Sequence, residues 1–146
     1  MNERLKPLIH GAQNRCFGCG PQNPDGLQLQ FALDEENQTV VCAVEVPARF
    51  EGPPQYVHGG IISTMLDEAM SKAVRVRGLT ALTSRLEIDL RRPVLSGHTV
   101  RIEGRWLRSE GRKHWTEGRI LDQKGTLLAS ACGTFVEVRA SRLQAK

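Results

Sequence analysis

The chain has 146 residues, of which 40% are hydrophobic and 25% charged, as is typical of one soluble globular domain. Its net charge of +4 favours anionic partners without naming one, so nucleic acid, anionic lipid and phosphorylated small molecules all fit at this stage. No apolar run approaches the ~20 residues that span a bilayer, and the first residues lack the apolar centre of a signal peptide. We therefore expect a cytoplasmic protein without a membrane partner.

The first 26 residues are expected to form a loop or lid, because residues 11–26 are rich in glycine, proline and asparagine. In a chain without a leader we expect all four cysteines to be reduced thiols. Two of them, Cys16 and Cys19, are candidate zinc ligands together with His10. A structural zinc site needs four ligands and no second close pair of cysteine or histidine follows, so we expect no metal. The strand-helix context typical of a redox C-x-x-C pair is also missing, so the sequence pattern does not favour a redox pair.

Two strands and one long helix are predicted next. Residues 27–34 and 40–46 alternate apolar and polar side chains, and turn-forming residues separate them. From about Gly59 to Arg77 the apolar residues recur in doublets every four positions, which predicts an amphipathic helix. The apolar positions of this helix are Ile61, Ile62, Met65, Leu66, Ala69, Met70, Ala73 and Val74.

Four more strands are predicted after the helix, since residues with turn chemistry separate the runs there. These strands span residues 82–90, 99–108, 113–122 and 126–138. A single helix can bury its apolar stripe only against the face of a sheet. The predicted class is therefore α+β, with one central helix wrapped by an antiparallel sheet of five to six strands. The whole chain, residues 1–146, is expected to be one domain with a C-terminal tail at 139–146.

Two adjacent acids of the helix fall on different sides of it. On a helical wheel Asp67 lies at the border of the apolar arc, whereas Glu68 lies opposite that arc. We therefore expect Glu68 to be solvated and Asp67 to be partly buried. A partly buried acid is either a boundary residue held by a neighbouring hydrogen bond or part of a functional site.

The helix begins with two glycines, Gly59 and Gly60, which allow close approach to the backbone. The first N–H groups of a helix have no intrahelical acceptor and lie at the positive end of its dipole, so they suit a carbonyl oxygen that becomes negative. The same glycines also permit tight packing against a sheet. About 10 Å separates Gly60 from Asp67 along the axis, so one carbonyl cannot reach both. If both act, a second copy of the chain supplies one of them, and the site crosses a homodimer interface.

The run His58-Gly59-Gly60, with Asp67 nine residues after the histidine and then the sequence TSRLEIDLRRP, resembles the hotdog-fold acyl-CoA thioesterases. The resemblance is to the phenylacetyl-CoA thioesterase-like branch, and the sequence CFGCGPQNPDGLQLQF is similar to the N-terminal segment of some of its members. The strand order agrees over roughly residues 27–138. The resemblance implies a thioester hydrolase, active as a homodimer or homotetramer, in which a long helix is wrapped by an antiparallel sheet.

The resemblance implies catalytic roles for four residues. Asp67 matches the catalytic carboxylate, which acts either as a general base for water or as a nucleophile on the thioester. Gly59 matches the N–H donor to the thioester oxygen, supplied by the other protomer. His58 matches a histidine at the helix mouth, with a structural or orienting role at least as fitting as proton transfer. Thr83 matches a threonine near the attacking group, although threonine is common in any strand.

The resemblance also assigns five residues to coenzyme A binding. They are Asp89, Arg91, Gly111, Arg112 and Lys113. Many relatives have asparagine at the position of Asp89. Guanidinium and ammonium groups suit the 3′-phosphate and pyrophosphate of coenzyme A. Basic residues at strand ends are also often simply solvated.

The strand after the helix is predicted to have one polar and one apolar face, because side chains alternate along a strand. The expected polar face holds Thr83, Arg85, Glu87, Asp89 and Arg91. The expected apolar face holds Leu82, Leu86, Ile88 and Leu90. So charged a face suits a subunit contact or a ligand groove better than a core.

Other functions stay open beside hydrolysis. Nucleic-acid binding fits the basic composition, but no recognised motif is present and aromatic residues, at 5%, are few for stacking on bases. A non-catalytic acyl-CoA-binding protein or a hotdog dehydratase would share the fold. A dehydratase works with a histidine and a carboxylate in another arrangement, and no second histidine is placed near Asp67 in the sequence. We expect no metal or redox cofactor, with coenzyme A present only as part of the substrate.

Overall fold

One long helix lies across one face of an antiparallel sheet. The structure is a computed structural model that describes residues 4–9 and 11–139. The helix is α1 (Gly59–Arg75). The strands are β1 (Leu5–Pro7), β2 (Ala32–Asp34), β3 (Thr39–Glu45), β4 (Ala81–Leu90), β5 (Thr99–Glu110), β6 (Lys113–Leu121) and β7 (Leu127–Glu137). They form one sheet in the order β1-β2-β3-β5-β6-β7-β4, and every neighbouring pair is antiparallel.

The predicted α+β class is confirmed, and the helix and the four strands after it begin and end within two residues of the predicted bounds. The sheet has seven strands in the described ranges rather than five to six, because β1 forms inside the segment predicted as a loop and pairs with β2. The strand predicted over residues 27–34 is shorter, with β2 beginning at Ala32, and Gln28 within the predicted range has a φ of 50°, which is not extended backbone. His10 and residues 140–146 of the predicted tail lie outside the described residues. No helix among the described residues is long and apolar enough to cross a membrane.

Three glycines of the sheet allow the helix to lie close to it. A Cβ atom at Gly104 would come within 2.1 Å of the carbonyl oxygen of Ala69, so the helix backbone nearly touches β5. At Gly118 and Gly133 a Cβ atom would meet the side chain of Met70 at 3.2 and 3.0 Å. Any larger residue at these positions would push the helix off the sheet. Because the helix lies so close to the sheet, its apolar stripe is buried, as the sequence predicts.

The core between helix and sheet is aliphatic, in keeping with the low aromatic content. Its largest fully buried side chains are Leu29, Val40, Val46, Met65, Leu66, Met70, Val74, Val94, Ile102, Ile120 and Phe135. These residues come from both layers and from the segments that flank β3 and β4. The core therefore fixes the helix, its start and the edge strand relative to one another.

The start of α1 is held by backbone hydrogen bonds to two neighbouring loops. The N–H of His58 donates to the carbonyl of Phe50, and the N–H of Val57 donates to the carbonyl of Val94. An isolated bridge joins Tyr56 to Leu95 just before the helix begins. The loop after β4 is thus bonded to the residues just before α1. These bonds place the first turn of α1 beside the C-terminal end of β4.

The edge strand β4 contains a β-bulge, so the side chains on its two faces differ from those predicted. Thr83 pairs with Phe135 and Arg85 pairs with Thr134, so Ser84 is the extra residue. Residues directly opposite each other in an antiparallel pair point to the same side of the sheet. Thr83 therefore lies on the helix side with the buried Phe135, and the expectation that it shares a face with Arg85 is wrong.

The same bulge separates the leucines of β4. Leu86 pairs with Gly133 on the helix side, whereas Leu82 pairs with Val136 on the outer side. The expectation that Leu82 and Leu86 share one face is wrong for the same reason. Leu82, Leu86 and Leu90 are 54%, 36% and 53% exposed, so both faces of this edge strand carry uncovered apolar side chains.

Candidate active site

The carboxylate predicted to be catalytic lies between the helix and the edge strand. Asp67 is half-buried, and its Oδ1 accepts a hydrogen bond from the Thr83 hydroxyl over 2.6 Å. The bulge at Ser84 makes this contact, because it turns Thr83 toward the helix. Thr83 itself is exposed, so solvent reaches this carboxylate-hydroxyl pair from the open edge of the sheet.

Burial raises the pKa of Asp67 above its usual value of 3.8. The Thr83 hydrogen bond acts in the opposite direction because it stabilises the ionised form, while the negative charge of Glu68 raises the pKa and the positive charge of Lys72 lowers it. A carboxylate whose pKa is raised by partial desolvation holds a proton better than a solvated one. This property suits a general base that must take a proton from water.

The first helical N–H group is free to bind a ligand. Within the described part of the chain, the N–H of Gly59 has no acceptor, whereas the N–H of Gly60 donates to Nδ1 of His58 over 2.9 Å. A Cβ atom at Gly59 would touch only the Leu90 side chain, at 3.4 Å. His58 is thus the N-cap of the helix, and Gly59 presents a bare amide beside the C-terminal end of β4.

The prediction that Glu68 is solvated is wrong. Its side chain is only 12% exposed, and its carboxylate lies 3.4 Å from Nζ of Lys72 and 3.1 Å from Sγ of Cys16. The segment around Cys16 folds over this side of the helix, which a helical wheel cannot show. Glu68 is therefore a paired, covered acid, while its neighbour Asp67 has one hydrogen-bond donor within residues 4–9 and 11–139 and faces the open edge.

The predicted coenzyme A residues fall at two ends of the sheet. Gly111 and Arg112 form the turn between β5 and β6, and the Arg112 carbonyl accepts from the N–H of Glu137 opposite the start of β4. Asp89 and Arg91 lie at the other end of β4. About eight residues of strand, roughly 26 Å, separate the two groups in one protomer.

Two further side chains near the β5–β6 turn were not predicted. The guanidinium of Arg108 lies 3.7 Å from the ring centroid of Trp115, and Nζ of Lys113 lies 5.9 Å from that centroid. Trp115, Arg112 and Lys113 line a common depression on the outer face. Lys113 and Trp115 are two residues apart on one strand, so period-two alternation could have linked them.

The residues predicted to be functional therefore fall into two groups within the chain, which we call the two half-sites. The first half-site contains Asp67 and Thr83, with the basic turn at 111–113 at the same end of the sheet. The second contains His58 and Gly59, with Asp89 and Arg91 at the same end. The two half-sites lie at opposite ends of β4 and do not meet within one chain, as expected from the spacing along the helix.

A long helix wrapped by an antiparallel sheet, with an acid of the helix beside an edge strand, is the architecture of the hotdog fold. The chain belongs to the thioesterase superfamily, whose sequence description matches residues 54–129. The fold and family implied by the sequence are thus confirmed. The match includes the helix, β4, β5 and β6.

Among characterised relatives, the chain is 26% identical over 135 residues to the acyl-coenzyme A thioesterase THEM4 of Xenopus laevis, an alignment that covers 90% of this chain and 60% of that protein. The mammalian proteins of that name match over 78% of this chain and 48% to 50% of their own length. The chain therefore spans about half to three fifths of these relatives.

Solved structures agree on the fold. The thioesterase superfamily protein RHA08564 superposes with a TM-score of 0.79 at 26% identity, covering 86% of this chain and 62% of that one. The PaaI protein of the E. coli phenylacetic acid degradation operon superposes with a TM-score of 0.66 at 24% identity, covering 70% and 74%. A Streptococcus pneumoniae thioesterase protein solved with coenzyme A has a TM-score of 0.66 at 20% identity, covering 68% and 78%.

Proposed function

We propose that this protein hydrolyses an acyl-CoA thioester to the free acid and coenzyme A. The observation that carries the proposal is the half-buried Asp67, hydrogen-bonded to Thr83 at an open sheet edge with its pKa raised. The thioesterase family and the acyl-CoA thioesterase name of the relatives support the same reaction.

The active form is proposed to be a homodimer, which can pair further into a tetramer. β4 is an outer strand of the sheet, one edge of its ten residues is unpaired within the described part of the chain, and three of its leucines are exposed. Such an edge is a template for a second strand, and proteins seldom leave one uncovered. A second copy of β4, added antiparallel about a two-fold axis, satisfies the edge and covers the leucines.

Antiparallel pairing of two β4 strands also joins the half-sites. The start of β4 in one protomer then lies beside the end of β4 in the other, so Asp67 and Thr83 of one copy face His58 and Gly59 of the other. Asp89 and Arg91 of the second copy approach the basic turn of the first copy in the same way. Each dimer thus contains two complete sites.

In this arrangement the Gly59 N–H of one protomer donates a hydrogen bond to the thioester oxygen, which becomes negative as the carbonyl carbon is attacked. Asp67 of the other protomer either takes a proton from water or attacks that carbon directly. The Thr83 hydroxyl holds the carboxylate in one orientation. Water is the only co-substrate, so the proposal includes no metal or redox cofactor, and it keeps the expected cytoplasmic location.

Coenzyme A is proposed to lie along the outer face near the turn at 111–113. Arg112 and Lys113 supply positive charge for its phosphates, and the Trp115 ring offers an apolar surface beside them. Asp89 is acidic and would be repelled by a phosphate, so Arg91 is the better ligand of that pair. His58 uses Nδ1 to cap its own helix, which favours an orienting role over proton transfer and speaks against dehydratase chemistry.

The test is a panel of aryl-, short-chain and long-chain acyl-CoA thioesters, with the released thiol measured directly and the Asp67→Asn variant as control. Turnover of at least one thioester that the variant loses supports the proposal. Binding of acyl-CoA without thiol release would show that the protein binds acyl-CoA but does not hydrolyse it.

Arg112→Ala should raise KM several-fold for acyl-CoA but not for the matching pantetheine thioester, since phosphate contacts exist only in the former. Equal effects on both would remove Arg112 from phosphate binding.

A further inference from the structure

Four side chains outside the proposed site converge beneath the N-terminal segment. Sγ of Cys16, Sγ of Cys19 and a carboxylate oxygen of Glu68 all lie within 4.8 Å of one another. Nζ of Lys72 lies 3.0 Å from Sγ of Cys19 and 3.4 Å from the Glu68 carboxylate. Lys72 is only 5% exposed, and a lysine is almost never buried to this degree without partners. We name these four residues the thiol cluster.

The two thiols of the cluster are in opposite hydrogen-bonding roles. Cys19 accepts hydrogen bonds from Lys72 and, over 3.7 Å, from the amide of Asn14. An ammonium donor beside a sulfur stabilises the thiolate, which is the nucleophilic form. Cys16 instead donates a hydrogen bond to Glu68 over 3.1 Å, and burial raises the pKa of Cys16 to about 11. The geometry therefore makes Cys19 the attacking sulfur and Cys16 a protonated partner.

The loop that carries the cysteines is built for this packing. A Cβ atom at Gly18 would lie 2.2 Å from Cγ of Glu68, and one at Gly20 would lie 2.4 Å from the backbone N of Cys16. The N–H of Gly20 donates to the carbonyl of Cys16 over 2.8 Å and closes the turn. Glycine is thus required at both positions to bring the two sulfurs over the helix.

The cluster can be reached by a small molecule. Cys19 is buried, yet it lines a cavity of about 500 Å³ together with Leu8, Pro21 and Phe31. This volume exceeds by far the roughly 30 Å³ that one water-sized molecule occupies. A metal ion is a poor occupant of the cluster itself, because the Lys72 ammonium already lies beside two of the three ligand atoms and would repel a second cation.

We propose that Cys16 and Cys19 form a peroxide-responsive thiol pair, with Cys19 as the attacking sulfur and Cys16 as the resolving thiol. The Cys19 sulfur attacks one oxygen of a hydroperoxide, the O–O bond breaks, and a sulfenic acid and hydroxide form. Cys16 then attacks that sulfur, gives its proton to Glu68, and expels the second hydroxide. With hydrogen peroxide the net reaction is two thiols plus one peroxide to one disulfide plus two waters, with two electrons passing from sulfur to peroxide.

The disulfide is accessible from the present geometry. The sulfurs need to move from within 4.8 Å to about 2 Å apart, which side-chain rotations across a four-residue turn can provide. Its formation removes the Cys16 hydrogen bond to Glu68 and frees Lys72 from Cys19. The proposal concerns the thiols alone and does not depend on thioester hydrolysis.

The test is mass mapping of the reduced full chain after one equivalent of hydrogen peroxide, with free thiols blocked by N-ethylmaleimide. We expect the peptide that holds Cys16 and Cys19 to lose two hydrogen atoms and to regain them with dithiothreitol. The exposed Cys132 is the internal control and should stay largely unmodified under the same conditions. Cys16→Ser should stop at a sulfenic acid on Cys19 that dimedone traps, whereas Cys19→Ser should leave Cys16 reduced.

Lys72→Met, compared with Lys72→Arg, tests the positioning of the cation. Oxidation of Cys19 should slow by about tenfold or more in the methionine variant and less in the arginine variant, since only arginine keeps a charge near the sulfur. Three results would overturn the proposal. These are oxidation of Cys132 before the pair, stoichiometric zinc that protects both thiols, and a Cys19–Lys72 cross-link in place of the disulfide.

Discussion

Asp67 and Glu68 are consecutive acids of one helix, yet they meet opposite environments. Glu68 is covered by the N-terminal segment and paired with Lys72 and Cys16. Among the described residues, Asp67 has a single close hydrogen-bond donor, Thr83, and it lies at a strand edge that none of them covers. The partners of Glu68 keep it away from solvent, whereas the partly desolvated carboxylate of Asp67 can exchange a proton with a water molecule at the open edge.

The largest effect is expected from Asp67→Asn. The amide keeps the shape of the side chain but cannot act as base or nucleophile, so kcat should fall by about 10² to 10⁴. Thermal stability should be unchanged or slightly higher. The reason is that the folded-state pKa of Asp67 is raised, so ionisation costs the folded state stability as pH rises through that pKa. Near-native turnover in this variant would remove Asp67 from the mechanism.

Lys72→Met is the corresponding change beside the covered acid, Glu68. It should lower the free energy of unfolding by about 2–3 kcal/mol, because it leaves the largely buried Glu68 without its cation. Turnover per folded molecule should fall far less than in Asp67→Asn. Urea denaturation and kcat measured on both variants check this division, and a stable but inactive Lys72→Met protein would contradict it.

Gly59→Ala separates packing from catalysis at the helix start. Among the described residues the added Cβ would contact only Leu90, at 3.4 Å, which is an ordinary van der Waals distance, so the fold should not be weakened. The methyl group would stand where the thioester oxygen is proposed to bind, and kcat should fall by about tenfold. Full activity with unchanged melting temperature would argue against the oxyanion role. Gly11→Ala, which meets nothing within 4 Å, is the control.

Thr83→Val should give the smallest change in maximal rate and a clear change in pH dependence. The hydroxyl lowers the pKa of Asp67, so its loss raises that pKa further. The base must be ionised, and activity is lost as pH falls through this pKa. The acidic limb of the kcat profile should therefore move to higher pH in the variant. A limb at the same pH would show that the hydrogen bond does not reach the reacting group.

The comparison of the two acids also shows what the sequence could predict. The helix and strands β4 to β7 follow from local periodicity, and the border position of Asp67 follows from the helical wheel. The burial of Glu68 depends on a segment some fifty residues earlier in the chain, which no local pattern reports. The expectation that Thr83 shares a face with Arg85 was wrong because a β-bulge at Ser84 shifts the phase of alternation by one residue.

The separation of the two half-sites could be predicted from distance along the helix alone. A helix of known rise cannot bring Gly59 and Asp67 to one carbon, and this held whatever the fold. The position of the basic turn relative to Asp89 and Arg91 needed the strand order, in which β4 follows β7 at the edge of the sheet. The contact between Trp115 and Arg108 was not predicted, because the two residues lie on neighbouring strands. The pairing of these strands also shifts register between Trp106 and Arg108.

Complementation between two inactive variants tests most directly whether the site is shared by two protomers. Asp67→Asn and Gly59→Val are refolded together so that copies pair at random. A mixed dimer then has one site with both wild-type groups, so about a quarter of wild-type activity should return. If both groups served one site within a single chain, or if the protein stayed monomeric, mixing would restore no activity and the shared-site account would be wrong.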